Sequence, residues 1–215
     1  MGNSVKNHRF FTFYLGSIAD KSAICMGIYM RVIAGKARRT QLVTPEGMNT
    51  RPTTDRIKET LFNMINSELY DCRFLDLFSG SGGIGIEALS RGAVFCTFVD
   101  NNNEAVRCIR QNLKKTKMEE QSDIIKADAI SAVKSLQSRG EEPYDFIFMD
   151  PPYGRLYEKD VLSALKCTNL VDEYTTIIIE ASRDTDIEYI NELGFHIDKI
   201  KEYKTNKHIF VSKKS

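Results

Sequence analysis

Two short stretches of this 215-residue chain set carboxylates beside turn-forming residues in patterns that can do chemistry. The first is Asp76-Leu-Phe-Ser-Gly80-Ser-Gly82-Gly83-Ile-Gly85, and the second is Asp150-Pro151-Pro152-Tyr153. Glycines between a strand and a helix let the backbone press against a ligand, and the helix N-terminus offers N–H groups and partial positive charge. Gly80, Gly82 and Gly85 satisfy G-x-G-x-x-G, and Asp100 follows about twenty residues on, where an acid can hold ribose hydroxyls. That pattern alone fits a nicotinamide dinucleotide and S-adenosylmethionine equally. Asp76 separates them: a carboxylate just ahead of the glycines repels a pyrophosphate but suits the ammonium and sulfonium of a methionine-derived ligand. Asp128, after the next strand, can accept from an adenine amino group, cap the helix that follows, or do both.

In the second stretch two prolines stiffen the loop and remove two N–H donors. What remains is a set of acceptors, the Asp150 carboxylate and the Pro151 carbonyl. An exocyclic amino group conjugated to a base is a poor nucleophile. Two acceptors on its hydrogens draw the nitrogen toward a tetrahedral shape and aim its lone pair, so alignment and electrostatics carry most of the rate. Tyr153 offers a flat face on which a splayed-out base can stack.

The elements that must position these groups alternate. Strands are predicted at 74–78, 94–99, 124–127, 144–149 and 176–180, and helices at 83–91, 103–114, 129–138 and 158–167. Such alternation implies a parallel sheet with helices on both faces, with ligands at the carboxyl ends of the strands. Two last strands, 196–203 and 207–212, flank a turn at Thr205–Asn206 and must run antiparallel. Ahead of the sheet, 30–43 reads as a short strand or hairpin, and 55–69 as a helix capped by Thr53 or Thr54. Residues 1–29 read as a leader or extension, residues 30–70 as a hairpin-and-helix segment contacting RNA and cofactor, and residues 71–215 as the catalytic domain.

Composition excludes several classes. Hydrophobic residues make up 42% and charged residues 27%, as in ordinary soluble domains, and no apolar run is long enough to span a bilayer. Five scattered cysteines without a C-x-x-C pair argue against a disulfide scaffold or zinc knuckle and for a reducing, cytoplasmic setting. His8, His196 and His208 lie too far apart for a metal motif, and surface or filler roles are expected of them. The net charge of +1 hides a division: residues 31–60 carry seven Lys/Arg against three Asp/Glu, and residues 196–215 six against two, around an acidic middle. Basic ends attract a phosphate backbone.

Asp-x-Phe-x-Gly-x-Gly followed by Asp-Pro-Pro-Tyr resembles the amino-directed branch of class I methyltransferases. Met30-Arg-Val-Ile-Ala-Gly35 and Thr50-Arg-Pro-Thr-Thr-Asp-Arg-Ile-Lys-Glu-Thr-Leu-Phe-Asn63 narrow the likeness to the bacterial small-subunit (16S) ribosomal RNA guanine-N2 methyltransferase family, RsmD. The resemblance implies a Rossmann-like α/β fold with a seven-stranded, mostly parallel sheet, one antiparallel strand and a small N-terminal extension. It also implies S-adenosyl-L-methionine as cofactor and ribosomal RNA as partner, within a small subunit or an assembly intermediate. Neither metal nor membrane is expected. Candidate cofactor contacts are Asp76, Gly80, Gly82, Asp100 and Asp128, with their neighbours Phe78, Asn101 and Ala129. Asp150, Pro151 and Tyr153 are the candidate catalytic and base contacts, and Arg51, Thr53 and Arg56 the candidate RNA contacts. Adenine N6 methylation, a nicotinamide-dependent oxidoreductase and a catalytically silent RNA-binding module stand as the alternatives.

Overall fold

The structure, a computed structural model, describes residues 30–45, 55–152, 154 and 156–214. The leader at 1–29, the expected cap at Thr53 or Thr54, and the candidates Arg51, Thr53 and Tyr153 lie outside the described residues.

Two short strands, β1 (Met30–Arg31) and β2 (Gln41–Leu42), pair antiparallel as a hairpin. Helix α1 (Asp55–Ile65) follows. The main sheet then builds through β3 (Arg73–Leu77), α2 (Gly83–Arg91), β4 (Phe95–Val99), α3 (Asn103–Thr116), β5 (Ser122–Ile125), α4 (Ala129–Arg139), β6 (Phe146–Met149) and α5 (Tyr157–Lys166). It closes with β7 (Thr176–Ser182), the one-turn helix α6 (Tyr189–Glu192), β8 (Phe195–Glu202) and β9 (Asn206–Lys213). The strand order is β5-β4-β3-β6-β7-β9-β8. β3 to β7 pair in parallel, and β9 runs antiparallel to both of its neighbours. This is the seven-stranded sheet with one reversed strand that the family resemblance implies.

The central strands are apolar on both sides because helices cover both faces. Leu75, Leu77, Ile147, Met149, Ile177 and Ile179 pack on one face with α4, α5 and α6. Phe74, Cys96, Phe98, Phe146, Phe148 and Ile178 line the other with α1, α2, α3 and the hairpin residues Val32, Ala37 and Leu42. Helix ends follow local chemistry. Asn102 caps α3 by accepting from the Glu104 and Ala105 N–H groups, and Asp128 caps α4 by accepting from Ser131 N–H. Gly140 closes α4 at φ 71°.

Differences from the expected elements sit at edges and ends. The third parallel strand is Ser122–Ile125 rather than 124–127, because this edge strand is chosen by pairing with Cys96–Val99 and not by its own polar start. The helix predicted at 55–69 ends at Ile65 in a 3-10 turn, Asn66–Glu68. Strand β7 runs two residues past 180, since Ala181 and Ser182 find partners in Lys207 and Asn206. Helix α6 was not foreseen: a single turn has no periodicity to read, and it is held by burying Tyr189 and Ile190.

Candidate active site

The glycine loop leaves β3 at Phe78, whose φ is 64°, and enters α2 through Gly80 at 55° and Gly82 at 78°. Both glycines sit in left-handed backbone that other residues enter at a cost. A Cβ at Gly80 would meet nothing within 4 Å, so the loop faces open space where a ligand can lie. Gly85 does different work. A Cβ there would collide with the Phe98 ring and come within 2.6 Å of Cys96 Sγ, so this glycine lets α2 lie directly on β4. Both neighbours are fully buried. Gly85→Ala is expected to cost about 1–3 kcal/mol by overpacking, measurable as a lower denaturant midpoint with unchanged slope.

Asp76 is buried, and its Oδ2 accepts from Gly85 N–H at 3.0 Å. The helix N-terminus that would greet a pyrophosphate is thus already answered by a carboxylate. Burial raises the Asp76 carboxyl to about 7, the Gly85 N–H opposes this, and the charge of Asp100 adds to it. Asp100 takes Gly80 N–H on one oxygen at 2.8 Å and Asn102 N–H on the other at 2.8 Å. Its carboxylate is therefore fixed at the end of β4 with one lone pair per oxygen to spare for neighbouring hydroxyls. A fixed carboxylate at the strand end and a buried acid beside an open loop fit a ligand with a ribose and a cationic amino-acid head. The set suits S-adenosylmethionine better than a dinucleotide.

The direction of the Asp76 shift gives a testable pH dependence. A cation bound beside this acid draws its pKa back down, so binding releases a proton when the pH lies near or below 7. Affinity for S-adenosylmethionine should hold above pH 7 and weaken by up to about tenfold per unit as the pH falls below it. Titration calorimetry at pH 8 and pH 6 checks this, and an affinity unchanged across that range would separate Asp76 from the cation.

Sheet register brings the acids together. Asp76 pairs with Phe98 on one side and Phe148 on the other, on the face carrying α1, α2 and α3. One pleat further toward the carboxyl edge, the same face holds Asp100 after β4, Asp150 after β6, Glu180 in β7 and His208 in β9. Asp150 is partly buried, and Pro151 beside it is buried. Burial pushes the Asp150 carboxyl well above the usual carboxylate range, and the charges of Glu180 and then Asp76 push it further. Asn101 lies exposed next to Asp100, Ala129 is buried at the start of α4, and Arg56 is exposed on α1. Asp128 is placed as the helix cap, its Oδ1 at 2.9 Å from Ser131 N, and that hydrogen bond holds its carboxyl below the ordinary value.

Residues 30–212 match the family model described as conserved hypothetical protein 95. The chain belongs to this family. Among its relatives are proteins called ribosomal RNA small subunit methyltransferase D. The one from Haemophilus influenzae is 33% identical over 72% of this chain and 80% of its own length. The one from Escherichia coli is 32% identical over 71% and 74%. YlbH of Bacillus subtilis is 39% identical over 74% of this chain and 85% of that protein. The solved structure of yhhF from Escherichia coli superposes with a TM-score of 0.74 at 25% identity, covering 87% of this chain and 99% of that one. The resemblance drawn from 30–35 and 50–63 is borne out, and the fold is that of class I methyltransferases.

Within this family member, sequence reading missed how the N-terminal segment is anchored. Glu87 of α2 is fully buried and accepts from the Ile33 and Ala34 N–H groups at 2.7 and 3.0 Å. Lys58 of α1 and Arg91 reach the same carboxylate at 3.3 and 2.8 Å, and Lys58 Nζ also donates to the Arg31 carbonyl. Asn112 of α3, also fully buried, accepts from Val43 N–H and donates to the carbonyls of Val43 and Ser81. It thereby ties the hairpin to the glycine loop. His208, for which surface or filler roles are expected, is not at the surface: it is wholly buried and bonded to Glu180. An available signal was parity: Glu180 shares it with Ile178, as Asp150 does with Phe148, on strands that run side by side. Among the described residues no cluster of His, Cys, Asp or Glu could hold a metal, and no helix is long and apolar enough to cross a membrane.

Proposed function

We propose that this protein transfers a methyl group from S-adenosylmethionine to the exocyclic N2 amino group of a guanine in small-subunit ribosomal RNA. The observation that carries the reading is the gathering of acids on one face at the carboxyl edge of the sheet, Asp76 on β3 beside the glycine loop, with Asp100 after β4 and Asp150 after β6 on the strands flanking it. The names of the relatives support ribosomal RNA as the substrate.

When bound, the cofactor supplies a sulfonium methyl that leaves readily. The chain has to hold and aim the partners. Asp100 holds the ribose, Asp76 answers the cationic end, and Gly80 and Gly82, with Phe78 before them, shape the floor. Asp150 and the Pro151 carbonyl accept the hydrogens of the target amine and turn its lone pair toward the methyl carbon. Tyr153 stacks on the base. Arg51, Thr53 and Arg56, with the lysines exposed on β8, meet the RNA backbone. Asn101, Asp128 and Ala129 border the adenine. The hairpin-and-helix segment 30–70 serves as the RNA-facing part, 71–215 as the transferase domain, and the cytoplasm, where ribosomal subunits assemble, is the setting.

A nicotinamide reaction is disfavoured because Asp76 already answers the α2 N-terminus that a pyrophosphate would need. The test is nucleoside mass spectrometry of undermodified small subunits after incubation with the protein and S-adenosylmethionine. N2-methylguanosine is expected. N6-methyladenosine would overturn the guanine assignment, and no transfer to RNA would overturn the enzyme reading.

A further inference from the structure

Beside Asp150 lies a polar chain that holding a cofactor or an amine does not require. Met149, the last residue of β6, pairs with Ile179, so Asp150 leaves its strand beside Glu180, on strands about 4.8 Å apart, and feels the Glu180 charge. Glu180 pairs with His208 across β9. The Glu180 carboxylate accepts from Asn206 Nδ2 at 2.6 Å on Oε1, and Oε2 lies 3.1 Å from His208 Nε2. The other imidazole nitrogen, Nδ1, is 3.1 Å from the Tyr203 hydroxyl. Glu180 and His208 are buried, whereas Tyr203 is half-exposed at the turn between β8 and β9. Hydrogen bonds thus run from Glu180, next in register to Asp150, through His208 to the half-exposed Tyr203.

We propose that Glu180, His208 and Tyr203 form a proton exit for the methyl-transfer site, with Asp150 as its entrance. This rests on the reading of Asp150 as the amine-binding acid. As the nitrogen–carbon bond forms and the sulfur–carbon bond breaks, the bonding pair goes to sulfur and the amine nitrogen becomes cationic. Its proton passes to an Asp150 oxygen and on to Glu180. With the imidazole in its Nδ1–H tautomer, Nε2 takes the proton from the newly protonated Glu180 carboxyl, Nδ1 releases its own to the Tyr203 oxygen, and the phenolic proton leaves to water. One proton reaches solvent per methyl group transferred, and return of the imidazole to its first tautomer resets the row.

The surroundings suit such a path. Burial pushes the Asp150 carboxyl up and Glu180 pushes it further, which makes it a stronger base. Burial, with Glu180 adding, raises the Tyr203 phenol to about 12, so it relays a proton without ionising. The other charged groups around the row are Asp76 one pleat below, Asp100 at the end of β4, and Lys201, exposed on β8 opposite His208. Lys207 turns its amine away to the Thr185 carbonyl. The Phe148 and Tyr203 rings pack edge-on against the imidazole and exclude water from it.

The test pairs two isosteric variants, Glu180→Gln and Tyr203→Phe, with two readouts. In the cofactor-free protein, carbon-13 NMR should show the Asp150 carboxyl midpoint falling by at least about one pH unit in Glu180→Gln. In turnover, the acid limb of the pH–rate profile should move to lower pH in the same variant. Tyr203→Phe should cut the maximal rate about tenfold with the cofactor KM unchanged. A merely structural row predicts full-rate turnover by Tyr203→Phe and rates that track melting temperature, and that result overturns the proposal, as does an unmoved Asp150 midpoint in Glu180→Gln, which would separate the two carboxyls. The NMR arm is indifferent to which base is methylated, so an adenine product alongside the shifted midpoint would sink the guanine assignment and leave the exit standing.

Discussion

Replacing Asp150 with alanine should lower methyl transfer by about 10³-fold while S-adenosylmethionine binding stays within about threefold of the parent. The size follows from losing two contributions at once. The amine loses the acceptor that pyramidalises its nitrogen, and the transition state loses a negative charge beside a nitrogen that is turning cationic. Binding should survive because the groups assigned to the cofactor, Asp76 and Asp100, are held by Gly85, Gly80 and Asn102 and not by Asp150. Stability separates this outcome from misfolding. The folded-state pKa of Asp150 lies well above its ordinary value, with burial the main cause. An acid shifted that way costs folding free energy increasingly as pH rises from its unfolded pKa toward its folded one. The alanine variant should therefore melt no lower than the parent at pH 8, and higher if anything, as expected where function is held at the expense of stability. Single-turnover kinetics, calorimetry and thermal melts at pH 6 and pH 8 check the three parts. A variant that melts much lower and binds cofactor poorly would move Asp150 from the reaction to the scaffold.

Glu87→Ala should be the most damaging substitution outside the reacting groups, destabilising the protein by about 3–5 kcal/mol. The carboxylate has no exposed surface and serves two backbone N–H groups and two cations. Alanine takes the acceptor from both N–H groups and the counter-charge from both cations, and burial already lowers the Lys58 pKa against the opposing pull of Glu87. Against a total stability of about 5–15 kcal/mol, such a loss is a large fraction, and it should lower the melting temperature by about 10 °C or more. The damage should be local first. Amide exchange at Ile33 and Ala34 should accelerate before that of the β3 and β6 amides, since Glu87 is what these hairpin N–H groups bond to. A loss under about 1 kcal/mol would show that the hairpin contributes little to the folded domain.

Asp150 and Glu87 are both carboxylates, yet the sequence announces only the first. Asp150 stands in a tetrapeptide whose prolines mark it as a stiff loop of acceptors, and the apolar run before it marks the strand that delivers it. Asp76, Gly80, Gly82 and Asp100 were equally legible, because a turn needing left-handed backbone admits glycine and a strand end needing an acid shows one. Glu87 carried no such mark. It reads as an ordinary charged residue of an amphipathic helix, and so does Lys58 in α1. Their partners lie 53 and 54 residues away in the case of the hairpin amides, a separation that no local pattern encodes. The partner of His208 is hidden for the same reason: nothing near it in the chain shows that Glu180, 28 residues earlier, will be its neighbour on the adjacent strand.

The amino-acid sequence by itself determined the alternation of strands and helices, the chemistry of the two loops, and the family, because turn preferences, caps and hydrophobic period act over a few residues. Only the tertiary structure decided that Asp100, Asp150, Glu180 and His208 share one pleat on one face, that Asp76 answers its own helix N-terminus, and that a buried Lys58–Glu87–Arg91 cluster clasps the hairpin. Those arrangements depend on strand order and register, which are settled by the packing of both sheet faces at once, and such a global balance leaves no trace in any single stretch of chain.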